Sequence, residues 1–245
     1  MMPKPTACAV APAAPRGTPE PKILLDIMIA IRSLVPSLLV LALTAAGLAA
    51  ETPEATALAV LASQAGVHEK ARACQQLGVV GGPASIPALA ALLDQEHLAD
   101  YARSGLEGIK DPAAEAALLK ALPKLEGLYL AGVVNSLGVR RDPAAVPDLQ
   151  KLALDPKRGV ASEAVASLGM IGSVEAAKTI NMVLTTGPAE MRVPAAHAAL
   201  AAAARLAKAG DPAAARVLLD DIVRTFPSGT LSAVAKHHML ALPAK

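Results

Sequence analysis

A recurrence constrains this chain more than anything else in it. Leu77 is followed by Pro83 six residues on and Leu89 twelve residues on. The same offsets join Leu106, Pro112 and Leu118, then Leu137, Pro143 and Leu149, then Leu206, Pro212 and Leu218. Leu168 keeps the apolar partner Ile180 but has Val174 in place of the proline. Successive anchor leucines are 29, 31, 31 and 38 residues apart. Fixed internal spacing at about thirty residues describes a unit too small to bury its own apolar face. Such units gain stability by stacking.

Composition decides what the units are made of. The chain of 245 residues is 53% hydrophobic but only 1% aromatic, with no Trp, one Phe and two Tyr. Its apolar mass is therefore Ala, Leu and Val. Ala and Leu favour helix, and Ala permits close helix approach. The spacing and composition predict helices over 68–79, 84–94, 98–109, 113–122, 126–138, 144–154, 159–170, 174–185, 190–208, 212–225 and 229–241. The long last interval predicts a longer, alanine-rich helix before Leu206.

Turn chemistry accounts for the prolines. Asp111-Pro112, Asp142-Pro143 and Asp211-Pro212 each put a capping carboxylate before a proline. Asp accepts from free backbone N–H groups at the N-cap, and proline at the first helical position lacks only a donor that was unpaired anyway. Pro87 and Pro147 lie one turn further in, where a delayed start or a bend is expected. Gly78, Gly138 and Gly169 follow their anchor leucines directly, which reads as helix ending.

The ends differ from the body. Met28–Ala50 has Arg32, a ten-residue apolar run at Leu34–Leu43, and small residues at Gly47 and Ala49. This is the pattern of a cleavable signal peptide, so 28–50 is expected to direct the chain to the periplasm or outside the cell, with cleavage near Ala49 or Ala50. Residues 1–27 are Pro- and Ala-rich and are expected to be disordered or an extension before a true start at Met28. Residues 51–66 are expected to form a capping helix with Leu58, Leu61, Ala62 and Ala65 on one stripe. The repeats then occupy 67–245, with an atypical last pair at about 190–245.

Charge narrows the partners. Lys4, Arg16, Lys22 and Arg32 against Glu20 and Asp26 account for the whole net charge of +2, leaving the rest neutral. A neutral body nearly without aromatic residues lacks the basic face and stacking platforms that nucleic acids require. Membrane contact is expected only through the leader, if it is retained. Without the leader Cys74 stands alone, so no internal disulfide is expected.

The Leu-Gly pairs at 77–78, 137–138 and 168–169, the Asp-Pro turns and the second-helix apolar positions resemble HEAT repeats, in particular the short bacterial form found in bilin-lyase-like proteins. The likeness is good over about 66–185 and fades beyond, where residues 210–227 equally resemble a tetratricopeptide helix pair. It is also similar to secreted bacterial HEAT-repeat modules. The resemblance implies an all-α fold: a right-handed, armadillo-type solenoid of about five stacked helical pairs that binds proteins along a concave face. It implies no one chemistry.

Motifs for chemistry fail one by one. His68-Glu69 has Arg72 where a zinc-binding His would stand, and Gly78–Gly82 lacks a following Lys-Ser/Thr. His237 and His238 are neighbours and diverge by about 100° on a helix. Asp220-Asp221 reads as a solvated face. Cys74 reads as a small buried hydrophobe. No catalytic residue, metal or cofactor is expected. The outward positions of the first helices carry Arg72, Gln75, Asp100, Tyr101, Ser104, Asn135, Ser162 and Glu163, with Arg140-Arg141 in the adjoining turn. These residues, Arg140 and Arg141 above all, are the candidate partner-binding surface. The expected function is that of an exported, monomeric, non-catalytic scaffold or accessory module. The alternatives are a lyase-like protein acting on a tetrapyrrole, which needs a reactive Cys or an acid pair in the groove and aromatic walls, or a structural module of a larger redox or sugar-processing system.

Overall fold

The computed structural model describes residues 52–243, which hold twelve α-helices and no strand. In chain order they are α1 Pro53–Ala62, α2 Val67–Val80, α3 Ile86–Ala90, α4 Ala99–Gly108, α5 Pro112–Ala121, α6 Gly127–Arg140, α7 Val146–Leu154, α8 Ala161–Ile171, α9 Val174–Thr186, α10 Ala189–Lys208, α11 Pro212–Thr225 and α12 Thr230–Leu240. The expectations for residues 1–51, signal peptide included, lie outside the described residues.

Contacts sort the helices into two layers. In the first, α2 packs on α4, α4 on α6, α6 on α8 and α8 on α10. In the second, α3 packs on α5, α7 on α9 and α9 on α11. The fold is a HEAT-like helical solenoid, with α1 packed on α2 and α12 on α11. The recurring residues form its core. Leu77, Leu89, Leu106, Leu118, Leu137, Leu149, Leu168 and Ile180 are fully buried, and Leu206 is only 3% exposed. Each helix thus surrenders one apolar stripe to its neighbours, which supplies most of its stability.

The predicted Asp caps form, and Ser173 adds a fourth. Asp111, Asp142, Ser173 and Asp211 each accept from a backbone N–H two or three residues on, at 2.8, 2.9, 3.1 and 2.9 Å. The inner prolines delay the helices they enter. One 3₁₀ turn, Pro83–Ser85 or Pro143–Ala145, precedes α3 or α7, so Pro87 and Pro147 fall in a first turn where no donor is missed. Helix α3 is only five residues long, not the eleven predicted, because it starts late and gives way to turns after Ala90.

The glycines after the anchor leucines required correction. Helices α2, α6 and α8 run three residues beyond Leu77, Leu137 and Leu168, so these glycines do not end them. They mark where first-layer backbones meet. A Cβ on Gly78 would stand 3.2 Å from the Cα of Gly105. One on Gly138 would stand 2.8 Å from the Cα of Ser167, and one on Gly169 2.8 Å from the Cα and carbonyl O of Ala198. A Cβ on Gly108 would collide with the carbonyl of Gly78.

The capping helix also differs in detail. It ends at Ala62, where the Ser63 hydroxyl and amide both donate to the Val60 carbonyl. Ala57 is its buried residue, with Leu58 and Leu61 half-buried and Ala62 exposed. It docks through Glu54, which accepts from Gly82 N at 2.7 Å and Ser85 Oγ at 2.6 Å.

Two tests follow. Gly169→Ala should lower stability by about 1–3 kcal/mol, the usual cost of forcing a methyl into a filled interface. A urea midpoint equal to wild type would contradict the close approach. The Ser85 and Gly82 hydrogen bonds hold the Glu54 carboxyl below its ordinary value. Its contribution is present at neutral pH and is lost as pH falls through that lowered value. Amide protection in α1 should therefore drop as pH falls below the ordinary carboxylate range in wild type, while Glu54→Gln flattens that response. A Glu54→Gln chain with the wild-type pH response would count against the docking role.

Candidate functional site

The arginines of the turn separate structural from available groups. Arg140 ends α6 with a side chain only 10% exposed. Its Nε donates to the buried carboxylate of Glu115 at 2.8 Å. Its Nη1 donates to the carbonyls of Leu106 at 2.7 Å and Ile109 at 2.6 Å, and its Nη2 to that of Asp111 at 3.1 Å. Arg140 therefore ties the turn of one pair to the turn before it. Its assignment to a partner-binding surface is corrected: its donors are used within the fold. Burial raises the Glu115 carboxyl above its ordinary value, against the lowering by Arg140. Arg141 is exposed, and its backbone is in the left-handed region at φ 60° as the C-cap of α6.

The other outward positions fall where the spacing put them. Arg72, Gln75, Asp100, Tyr101, Ser104 and Asn135 are all exposed on α2, α4 and α6. Asp100 and Tyr101 line a concavity. It is a groove of about 610 Å³ at the N-terminal ends of α2, α4 and α6. Val67, His68 and Ala71 border it from α2, Ala99, Asp100 and Tyr101 from α4, and Leu128 and Tyr129 from α6; His97 stands just before α4. Both tyrosines of the chain are here, 40% and 37% exposed, beside Leu128 at 89% and Val67 at 50%. His97 holds φ 68°, one of two non-glycine residues at positive φ among the described residues, the other being Arg141.

The groove is held in shape by polar links behind it. Asp100 accepts from Arg103 Nε at 3.1 Å, and Arg103 Nη1 donates to Glu107 at 3.3 Å. Glu107 in turn accepts from Ser136 Oγ at 2.6 Å, joining α4 to α6. Gly132 makes room for Arg103, whose Nε would stand 3.0 Å from a Cβ there. The helices opening onto the groove start at Gly66, Leu98 and Glu126, none of which makes a side-chain cap. The groove offers aromatic and aliphatic contact area, and tyrosine is among the residue types enriched in protein-binding hot spots.

Sequence reasoning missed Val67, Leu128 and Tyr129. A signal was there for Leu128: it lies outside the α6 stripe of Leu130, Val133 and Leu137, which are buried, so a large apolar residue at that place serves no core. Asp221 also departs from expectation. It is 3% exposed and paired with Arg224, so Asp220-Asp221 is not a wholly solvated face.

Chemistry elsewhere is unfavoured. Cys74 is fully buried and burial pushes its thiol up to about 11, so almost no thiolate exists near neutral pH. No group of three or more His, Cys, Asp or Glu among the described residues could hold a metal ion. His237 and His238 have ring centroids 6.4 Å apart and border an apolar hollow with Ala203, Leu219 and Leu242.

Breaking the Arg140 staple leaves a buried carboxylate without its cation, so Arg140→Ala should cost about 3–5 kcal/mol. Arg141→Gly should be neutral or stabilise by up to about 1 kcal/mol, because glycine enters the left-handed region freely. Equal effects of the two substitutions in chemical denaturation would contradict this division.

Among curated proteins none matches the chain. Residues 115–201, from α5 into α10, match the family model described as HEAT repeats. That span begins and ends later than the stretch over which the sequence resemblance was read. The match and the all-helical stack together support a HEAT-repeat protein.

Proposed function

We propose that the chain is an exported, non-catalytic protein-interaction module that works as a monomer and captures a partner on the groove of α2, α4 and α6. The observation that carries this reading is the gathering of Tyr101, Leu128, Tyr129 and Val67, exposed together, in a chain that has almost no other aromatic residue. Scattered apolar residues on a surface are ordinary; a cluster of them with both tyrosines is a mark of an interface. The HEAT-repeat match favours a scaffold or adaptor over an enzyme. Export rests on the leader pattern at 28–50. A tetrapyrrole lyase is not favoured, because Cys74 is buried and held as a thiol.

The test uses position-specific crosslinking. A photoreactive phenylalanine analogue at position 128 should yield a discrete crosslinked protein from the native periplasmic extract. The same group at Thr185, exposed on the second-layer helix α9, should not. Tyr101→Ala with Tyr129→Ala should abolish the product while leaving the thermal midpoint within about 2 °C, since both rings are partly exposed. Crosslinking of equal strength from both positions, or a product that survives the double substitution, would refute the groove as the binding surface.

A further inference from the structure

Successive pairs of the stack, each a first-layer helix with the second-layer helix that follows it, do not all meet in the same way. Backbone meets backbone where α2 packs on α4, at Gly78 and Gly105, and where α8 packs on α10, at Gly169 and Ala198. Helix α6 meets α8 through Gly138 and Ser167. Helices α4 and α6 meet differently. Gly132 of α6 faces a charged side chain: a Cβ there would stand 3.0 Å from Arg103 Nε and 3.1 Å from its Cδ. The second layer changes at the same level. Helix α3 packs on α5, α7 on α9 and α9 on α11, whereas α5 and α7 do not pack on each other in this way. They line a hollow of about 350 Å³ instead, with Leu119, Leu122 and Leu152 in its wall.

Polar groups take the place of the missing packing. Arg140, at the C-terminal end of α6, serves Glu115 and the carbonyls of Leu106, Ile109 and Asp111 described above. Arg158 staples the opposite end. It lies in the turn after α7, and its Nη2 donates to the carbonyls of Leu122 and Leu125, both at 3.0 Å, in the link from α5 to α6. Between them Ser136 Oγ donates to Glu107 at 2.6 Å. Apart from the bond of Ser167 to Val134, the side-chain hydrogen bonds that join one pair to the next among the described residues all lie at this joint. The groove crosses the same joint. Val67, His68 and Tyr101 stand on one side of it, Leu128 and Tyr129 on the other. Apolar contact is non-directional and permits sliding, whereas charge-assisted bonds to several fixed acceptors define one position.

We propose that the joint between α4–α5 and α6–α7 is a latched seam. Helices α1–α5 and α6–α12 are two bodies, and the bonds of Arg140 and Arg158, one at each end of the seam, fix their relative position and with it the width of the groove. Loss of these bonds opens the seam and parts Leu128 and Tyr129 from Tyr101. The coupling to capture rests on the groove being the partner-binding surface. On that reading Arg140 and Arg158 are positioning residues, acting through the seating of α6 and not by contact with the partner.

The experiment places genetically encoded nitroxide residues at two exposed positions of the full chain, with Cys8 and Cys74 left in place, and reads their separation by double electron–electron resonance. Gln75 on α2 with Asn135 on α6 spans the seam. Asn135 with Ala201 on α10 spans the close-packed joints on either side of α8. Arg140→Met with Glu115→Gln removes one staple without leaving a lone buried charge, and Arg158→Met removes the other. In wild type both distance distributions should be narrow. With both staples removed, the Gln75–Asn135 distribution should broaden and shift to longer distance while Asn135–Ala201 stays as it was. Arg158→Met alone keeps the buried pair and should move the same distance in the same direction by less. The photoreactive group at position 128 should then lose most of its crosslinked product when both staples are removed. The seam is overturned if the Gln75–Asn135 distribution is that of wild type in every variant, or if both distributions broaden alike. With that distance moved, a product of undiminished strength overturns the coupling to the groove. Should wild type itself yield no product, the groove reading fails while the distances still decide the seam.

Discussion

The structure depends on how closely the backbones of the first layer approach one another. Gly78 lies against the backbone of Gly105, Gly138 against Ser167 and the methyl of Met170, and Gly169 against the backbone of Ala198. That contact sets the spacing of successive pairs, and the spacing determines what fits behind it. Alanine, leucine, valine and isoleucine suffice as filling, and neither tyrosine enters the core. Contacts confined to neighbouring units make such a stack quasi-one-dimensional, so each unit's stability depends on those beside it. The two tyrosines are consequently left for the surface.

Polar groups lock the register that the glycines permit. Ser167 Oγ donates to the Val134 carbonyl at 2.8 Å, from one first-layer helix to the next. Arg140 and Arg158 each reach back some thirty residues to carbonyls of the preceding turn, so loops at both ends of the pairs are tied in sequence. Buried carbonyls at helix ends would otherwise lack partners, and an arginine carries enough donors to satisfy several at once. The same residue type does unlike work at neighbouring positions. Arg140 is consumed by the fold, whereas Arg141, one residue later and left-handed, is turned away from it.

Much of the architecture was legible in the sequence because the recurrence reports directly on burial. An anchor leucine and its partner twelve residues on fall in the core in every unit, and Asp before Pro caps a helix wherever it occurs. The Leu-Gly pairs were misread for a physical reason: a glycine late in a helix serves equally as a stop or as a point of close approach, and only the neighbouring helix distinguishes them. Arg140 was misassigned for a similar reason, since its carbonyl acceptors are backbone atoms that no sequence pattern displays. The groove was half legible. Asp100 and Tyr101 come from the outward positions of α4, but Leu128 and Tyr129 join them only because α6 begins beside α4.

The close-packed first layer gives a rigid frame for the aromatic and aliphatic groove, and contact area held in place in advance loses little entropy on binding. That rigidity is the claim from which the rest follows, and native-state hydrogen exchange tests it most directly. Amides of α6 and α8, which meet at Gly138 and Ser167, should exchange slowest, and those of the five-residue α3 fastest among the inner helices. Protection in α3 equal to or above that of α6 and α8 would contradict the account.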